Sequence, residues 1–137
     1  MADSDAVETA LRALRLRDRS VAELAARLEE RGVGEDERRE ALATLERIGY
    51  LDDARFARTR AEQPAARAAG DALIRHDLEG RGIDPDQVAG ALEALEPEPE
   101  RARRVVASRG RTPKTARYLA SRGFSPDAVE AAVAADD

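Results

Sequence analysis

Apolar residues recur along this chain in a pattern that appears three times. In each copy a leucine is followed four residues later by a glycine and five residues later by an apolar residue, and an arginine directly precedes the glycine. The copies are Leu28 to Val33, Leu78 to Ile83 and Leu119 to Phe124, and ten residues beyond the glycines stand Leu42, Leu92 and Val133. This register indicates tandem repeats, because a small unit cannot bury its apolar face without its neighbours.

Helix signals divide the first unit into three helices. Apolar residues at helical spacing predict a first helix that ends before Asp18. Ser20 and Glu23 form a capping box at the start of the second helix, and Gly32 ends it, since glycine tolerates the left-handed conformation. A third helix is predicted from about Glu35 to Gly49. Its inward-facing residues are expected to be Leu42, Leu45 and Ile48.

The later units carry the same cues in different residues. Three cap-and-proline pairs each predict a helix start, since proline at the first helical position loses no hydrogen bond: Asp84-Pro85, Thr112-Pro113 and Ser125-Pro126. Pro64 is expected to interrupt the second unit, and Pro97 marks the junction before the third. No run alternates as a strand does. The prediction is an all-α fold of nine helices in three tandem three-helix repeats, 1–51, 52–96 and 97–137, forming an elongated, curved array.

Composition narrows the class of protein. The chain has 137 residues, of which 37% are charged and 3% aromatic, so each core must be thin and built from Ala, Leu and Val. Cysteine is absent, which excludes disulfides and thiolate sites and favours the cytoplasm. The acidic start at Met1 and the lack of a long apolar run predict neither a signal peptide nor a membrane anchor.

Charge is distributed unevenly over the three units. The net charge is -3 for residues 1–51, -4 for 52–96 and +2 for 97–137, within a total of -5. The last unit contains a tract of eight cations with no acid among them: Arg101, Arg103, Arg104, Arg109, Arg111, Lys114, Arg117 and Arg122. These are the candidate contact residues for DNA or a protein partner, against the alternative that the tract is only a solvated face.

The most specific segment is Gly49-Tyr50-Leu51-Asp52-Asp53-Ala54-Arg55-Phe56-Ala57. Its local physics predicts a helix stop followed by a helix start, in which Asp52 caps the new helix and Leu51 staples onto Phe56. The segment also resembles, almost letter for letter, the GYLDDxRFA signature of the RecX family of recombinase regulators. The resemblance extends from Arg19-Ser20-Val21-Ala22-Glu23-Leu24 to Tyr118-Leu119-Ala120-Ser121-Arg122-Gly123-Phe124 and covers nearly the whole chain.

The resemblance implies a modular helical protein that binds along the groove of RecA filaments on DNA. It implies restraint of filament growth and of the ATPase, strand-exchange and repressor-cleavage activities, without enzymatic activity or a cofactor. DNA contact is expected to be weak or through the filament, and a monomer is expected. The stretch from Arg58 to Gly70 and Leu73 depart from the family's usual apolar and basic pattern, and Pro64 predicts a shortened helix there.

Other interpretations of individual residues remain open. The recurring Arg31, Arg81 and Arg122 are more simply helix-end cations that offset the dipole than three contacts to a polyanion. His76 is the only histidine, and one imidazole alone makes neither a catalytic triad nor a metal site. The alternative functions are a free-standing DNA-binding protein of helix-turn-helix-like build, which the acidic net charge disfavours, and a generic helical scaffold.

Overall fold

A computed structural model describes residues 2–134, with side chains from residue 5 onward. These residues form nine α-helices and no strand, which confirms the predicted all-α class. The helices are α1 (Ala2–Leu16), α2 (Val21–Glu30), α3 (Glu35–Arg47), α4 (Asp53–Ala66), α5 (Asp71–Gly80), α6 (Pro85–Glu93), α7 (Glu98–Arg109), α8 (Pro113–Ser121) and α9 (Pro126–Ala134). Met1 and residues 135–137, which belong to the first and third predicted repeats, lie outside the described residues.

The helices pack in three groups of three, α1 to α3, α4 to α6 and α7 to α9. Each group surrounds its own apolar cluster. The repeated leucines Leu28, Leu78 and Leu119 are each 0% exposed, one in each cluster, as their register predicts. The repeat boundaries at residues 51 and 96 and the curvature of the array stay predictions.

The recurring sequence motif is a helix-ending structure. At the end of α2, Gly32 has a φ of 82° and its amide donates to the carbonyl oxygen of Glu29 at 3.0 Å. The amide of Val33 donates to the carbonyl oxygen of Leu28, also at 3.0 Å. This pair of bonds is the Schellman motif, which brings the leucine and the residue after the glycine into contact. α5 and α8 end with the same two bonds.

Predicted helix starts agree with the structure. The Ser20 hydroxyl accepts from the Glu23 amide at 3.0 Å, and the Glu23 carboxylate accepts from the Ser20 amide at 3.1 Å. Asp84, Thr112 and Ser125 each accept from a first-turn amide of the helix they precede. Local backbone chemistry therefore determines where these helices begin.

Ile48 is not an inward-facing residue, contrary to the prediction. α3 ends at Arg47, and Ile48 is the capping residue, 53% exposed. Leu45 is buried as predicted, Leu42 is partly buried against the same core, and Ala41 is the other buried residue of α3. The amide of Leu51 donates to the Leu45 carbonyl oxygen at 3.1 Å, which turns the chain back so that the side chain of Leu51 occupies the first core.

One prediction about α4 is wrong. Pro64 does not interrupt the helix, which continues to Ala66, and because the proline lies in the last turn only two helical residues follow it. Leu51 belongs to the first cluster, and Phe56, 6% exposed, belongs to the second. The staple between them stays a prediction. The cap on α4 is confirmed, since Asp52 accepts from the Arg55 amide at 3.1 Å.

Polar contacts at helix ends join the first repeat to the second. The Ser20 hydroxyl donates to the carbonyl oxygen of Arg81 at 2.7 Å, and the Val21 amide donates to Oδ1 of Asp53 at 2.8 Å. Nη1 of Arg81 lies 2.7 Å from Oε2 of Glu23. The end of α5 therefore docks on the start of α2.

The second and third repeats join in the same way, through the end of α8 and the start of α5. The Gly70 amide donates to the carbonyl oxygen of Arg122 at 2.8 Å, and the Ala72 amide donates to that of Gly123 at 3.1 Å. A Cβ atom on Gly70 would lie 2.3 Å from the Phe124 nitrogen, so glycine is required for this approach. We call α2, α5 and α8, the second helices of the three repeats, the middle helices. They are thus arranged head to tail.

The first amides of the middle helices α2 and α5 donate to acidic side chains of the next repeat. Asp53 and Glu98, the first residues of α4 and α7, accept from the Val21 amide at 2.8 Å and from the Asp71 amide at 2.7 Å. Each acceptor comes from the following repeat. The corresponding residue of α8 is Pro113, which has no amide hydrogen to satisfy. The start of α8 therefore needs no such acceptor.

Candidate functional site

The basic tract of the third repeat does not lie on one surface. Arg101 is buried, 6% exposed, where its guanidinium donates to the carbonyl oxygens of Glu96 and Ala69 and pairs with Asp71. Its guanidinium carbon also lies 5.9 Å from the centre of the Phe124 ring. Arg101 thus joins the second and third repeats, and we remove it from the candidate contact residues.

Two further cations of α7 have acidic partners from outside the tract. Arg103 pairs with Glu100, and Nε of Arg104 lies 2.8 Å from Oε1 of Glu96. The Arg104 guanidinium lowers the pKa of Glu96 and so holds that carboxyl ionised. The absence of acids between residues 101 and 122 therefore does not leave Arg103 and Arg104 unpaired, because Glu96 and Glu100 precede the tract.

The exposed cations of the tract concentrate around α8. Lys114 and Arg117 are exposed one turn apart, on the side of the helix away from the buried Thr115 and Leu119. Arg111, also exposed, lies just before the helix. The Arg109 guanidinium carbon lies 3.6 Å from the centre of the Tyr118 ring, which brings the end of α7 onto the same region. We call Arg109, Arg111, Lys114 and Arg117 the α8 face.

Two of the three recurring arginines have structural roles, by a different mechanism from the one expected. Arg81 pairs with Glu23 of the first repeat rather than with the carbonyls that end its own helix. Nε and Nη2 of Arg122 donate to the carbonyl oxygens of Ala68 and Arg67, both at 3.1 Å. Arg31 is exposed at the end of α2. Two of the three therefore stabilise repeat junctions.

A groove of about 730 Å³ runs between α4 and α5. Its lining is basic, with five arginines against two aspartates, although the middle repeat as a whole is acidic. The arginines come from all three repeats and are Arg17, Arg60, Arg67, Arg81 and Arg122. We call this feature the α4–α5 groove. A charge count along the sequence misses it, because the five arginines are separated by long acidic stretches.

A charge network forms one wall of the α4–α5 groove. Asp77 accepts from Nε of Arg60 at 3.0 Å and from Nε of Arg81 at 3.2 Å. Burial alone would raise the pKa of Asp77, but the hydrogen bond from Arg60 and the charges of Arg81 and Arg60 lower it below the ordinary value of 3.8. Asp77 therefore stays ionised, and the network is fixed in place through Glu23.

Other groove residues offer hydrogen-bond donors and an apolar floor. Arg17 and Arg67 are exposed, and Thr59 and Gln63 project into the groove from α4. Leu73, 38% exposed, contributes apolar surface from α5. This residue is the one whose departure from the family pattern was noted in the sequence.

No group of acidic, histidine or cysteine residues within residues 2–134 has the arrangement of a metal site. His76 is exposed and lines the groove. In the same part of the chain, no helix is long and apolar enough to cross a membrane.

Known proteins share both the sequence and the fold. A regulatory protein RecX from Stenotrophomonas maltophilia is 34% identical over 95% of this chain and 86% of its own length. Another from Chromohalobacter salexigens is 37% identical over 93% and 90%. The crystal structure of RecX from Lactobacillus salivarius has a TM-score of 0.85 at 19% identity, covering 97% of this chain and 95% of that one.

No family model matches the chain. The identities to curated relatives nevertheless extend over most of both sequences, from the capping box of the first repeat to the last helix. A likeness at 19% identity establishes the fold, and the sequence relatives establish descent. This chain belongs to the RecX family of regulatory proteins.

Proposed function

We propose that this protein binds filaments of a RecA-type recombinase on DNA and restrains them, lowering their ATPase, strand-exchange and coprotease activities. Membership in a family of regulatory proteins named RecX carries the proposal. The protein acts by binding and not by catalysis, as a modulator of recombination and DNA repair.

The placement of charge supports binding to a filament. The α8 face presents exposed cations at one end of the chain, and the α4–α5 groove presents others in the middle repeat. Three linked repeats offer a longer surface than a single domain of this size, which suits a polymer whose subunits recur at intervals. Attraction to DNA and to acidic protein surfaces is strongest at such basic regions.

The competing function is a free-standing DNA-binding protein. The α8 face gives it some support, since exposed cations near a helix start suit phosphate contacts. The net charge of -5 weighs against it, because the acidic first and second repeats repel DNA over the rest of the surface.

The DNA-dependent ATPase of purified recombinase filaments distinguishes the two functions. Increasing amounts of this protein should lower the ATPase rate at concentrations where binding to the same DNA alone, followed by fluorescence anisotropy, is weak. A protein that leaves the ATPase unchanged and binds bare DNA tightly would instead be a DNA-binding protein.

A further inference from the structure

We propose that the α4–α5 groove binds an acidic peptide segment that carries an apolar side chain. The partner is a protein that presents such a segment on its surface. Only the identification of that partner as the recombinase rests on the proposed function.

Charge complementarity selects an acidic ligand. The groove gathers five arginines around two aspartates, and the pairing of Arg60 and Arg81 with Asp77 uses only some of their N–H donors. Arg17 and Arg67 stand exposed at the groove with their guanidiniums available. Because arginine binds carboxylates through two parallel hydrogen bonds, glutamate or aspartate side chains fit these positions.

The apolar floor selects a peptide with a hydrophobic side chain. Leu73 is one of few large apolar residues with more than a third of its surface exposed, and it lies inside the groove. An exposed leucine in a groove lined by arginines suits a ligand that places one apolar group among charged contacts. The volume of about 730 Å³ accommodates several side chains of a peptide but not a folded domain.

Nucleic acid fits the groove less well than peptide. Grooves that hold single strands combine cations with exposed aromatic rings for base stacking, whereas Phe56, the phenylalanine of this groove, is buried in the second core. The carboxylates of Asp18 and Asp77 can accept hydrogen bonds from the backbone amides of a peptide, whereas a phosphodiester backbone has no N–H donor to offer them.

The direct test is an NMR titration of the full chain with a blocked peptide of four glutamates around a central leucine. His76 lines the groove and is the only histidine, so its imidazole signals report on this site alone. We expect these signals and the Leu73 methyl signals to shift with the peptide. Exchanging glutamine for its glutamates, or serine for its leucine, should each weaken binding severalfold.

Paired variants locate the binding site. Arg17→Glu with Arg67→Glu should weaken peptide binding about tenfold or more, since charge reversal turns attraction into repulsion. Arg58→Glu with Arg75→Glu makes the same change in charge at exposed positions of α4 and α5 outside the groove lining, and should leave binding within about twofold. Circular dichroism checks that both pairs fold. Equal losses in the two pairs, or shifts confined to the α8 face, would overturn the proposal.

Two further measurements separate the groove from the proposed function. A six-nucleotide oligothymidylate should not shift the His76 signals, and if it does while the peptide does not, the groove is a nucleic-acid site and the proposal is wrong. A photoreactive residue at position 73 should crosslink to an acidic segment of the recombinase in the filament. If the parent never binds the filament but the peptide binds the groove, the proposed function fails and the groove proposal stands. If the variant with Arg17→Glu and Arg67→Glu inhibits the filament normally and no peptide binds the parent, the proposed function stands and the groove proposal fails.

Discussion

Arg81 and Glu23 are 58 positions apart in the sequence, and their side chains form an ion pair at 2.7 Å that fastens the end of α5 to the start of α2. Both side chains are about four-fifths buried. Glu23 also accepts from the amide of Ser20 in the capping box. One carboxylate therefore serves a helix start and a repeat junction together.

Replacing Arg81 should destabilise the protein more than replacing the equivalent residue of the first repeat. Arg81→Ala leaves Glu23 partly buried without its cation and should lower the free energy of unfolding by about 1 to 3 kcal/mol. Arg31→Ala changes an exposed arginine at the same position of the motif and should cost less than about 0.5 kcal/mol. Urea denaturation followed by circular dichroism measures both. Equal losses of stability in the two variants would mean that the ion pair with Glu23 contributes nothing beyond the effect of a cation at a helix end.

Gly70 should tolerate no side chain. Gly70→Ala places a Cβ atom 2.3 Å from the Phe124 nitrogen, so the junction between the second and third repeats must open, at a cost of about 1 to 3 kcal/mol. Gly34 occupies the same position before α3, and a Cβ there meets nothing within 4 Å. Gly34→Ala should cost no more than about 1 kcal/mol. Thermal unfolding of the two variants compares them, and a stable Gly70→Ala protein would contradict the close approach.

The repeated leucines should each contribute core stability. Leu28→Ala should lower the free energy of unfolding by about 2 to 4 kcal/mol, because it leaves a cavity at a side chain that is 0% exposed. Leu16→Ala, at an exposed residue of α1, should change stability by less than about 0.5 kcal/mol. Chemical denaturation gives both values, and a small loss for Leu28→Ala would mean that the first core repacks around the gap.

The Asp77 network predicts a dependence of stability on pH. The pKa of Asp77 is lowered in the folded protein, so its ionised form stabilises the fold above the ordinary pKa of 3.8. That contribution is lost as the pH falls through the folded pKa. The difference in unfolding free energy between the parent and Asp77→Asn should be constant near neutral pH and shrink below about pH 4. Denaturation curves between neutral and acid pH test this, and a difference that grows in acid would have the wrong sign.

The α8 face should supply electrostatic attraction to the filament. Lys114→Glu with Arg117→Glu should weaken inhibition of the recombinase ATPase severalfold, and added salt should weaken the parent in the same direction. The fold should survive, because an acid at position 114 suits the positive start of α8. The Arg58→Glu and Arg75→Glu pair is again the control for net charge. If the two double variants inhibit the recombinase ATPase equally, the α8 face is only a solvated surface and supplies no attraction to the filament.

The features that could be predicted from the sequence are those that depend on neighbouring residues. The capping box at Ser20, the cap at Asp52 and the glycine end of α2 each involve a few consecutive positions, and all three agree with the structure. Phe56 lies in the second core, and the choice of core for its side chain depends on how α4 packs against α6. Helical spacing alone does not contain that information.

Contacts between repeats were the part that sequence patterns missed. Arg101 looks like a surface cation in a basic tract, but its partner Asp71 is 30 positions away. The α4–α5 groove was missed for the same reason, since Arg17 and Arg122 approach it from opposite ends of the chain. Ion pairs between repeats depend on how the end of one helix packs on the start of another. Counting charges along the sequence therefore does not reveal them.

The head-to-tail junctions have a consequence for how the protein folds during synthesis. The residues of the first core all lie before position 52, so that core can form while the rest of the chain is still on the ribosome. The amides of Val21 and Asp71 gain their side-chain acceptors, Asp53 and Glu98, only after these later residues have emerged. The first and second repeats are thus each completed by residues of the repeat that follows. The start of α8 imposes no such order of events, because Pro113 has no amide hydrogen.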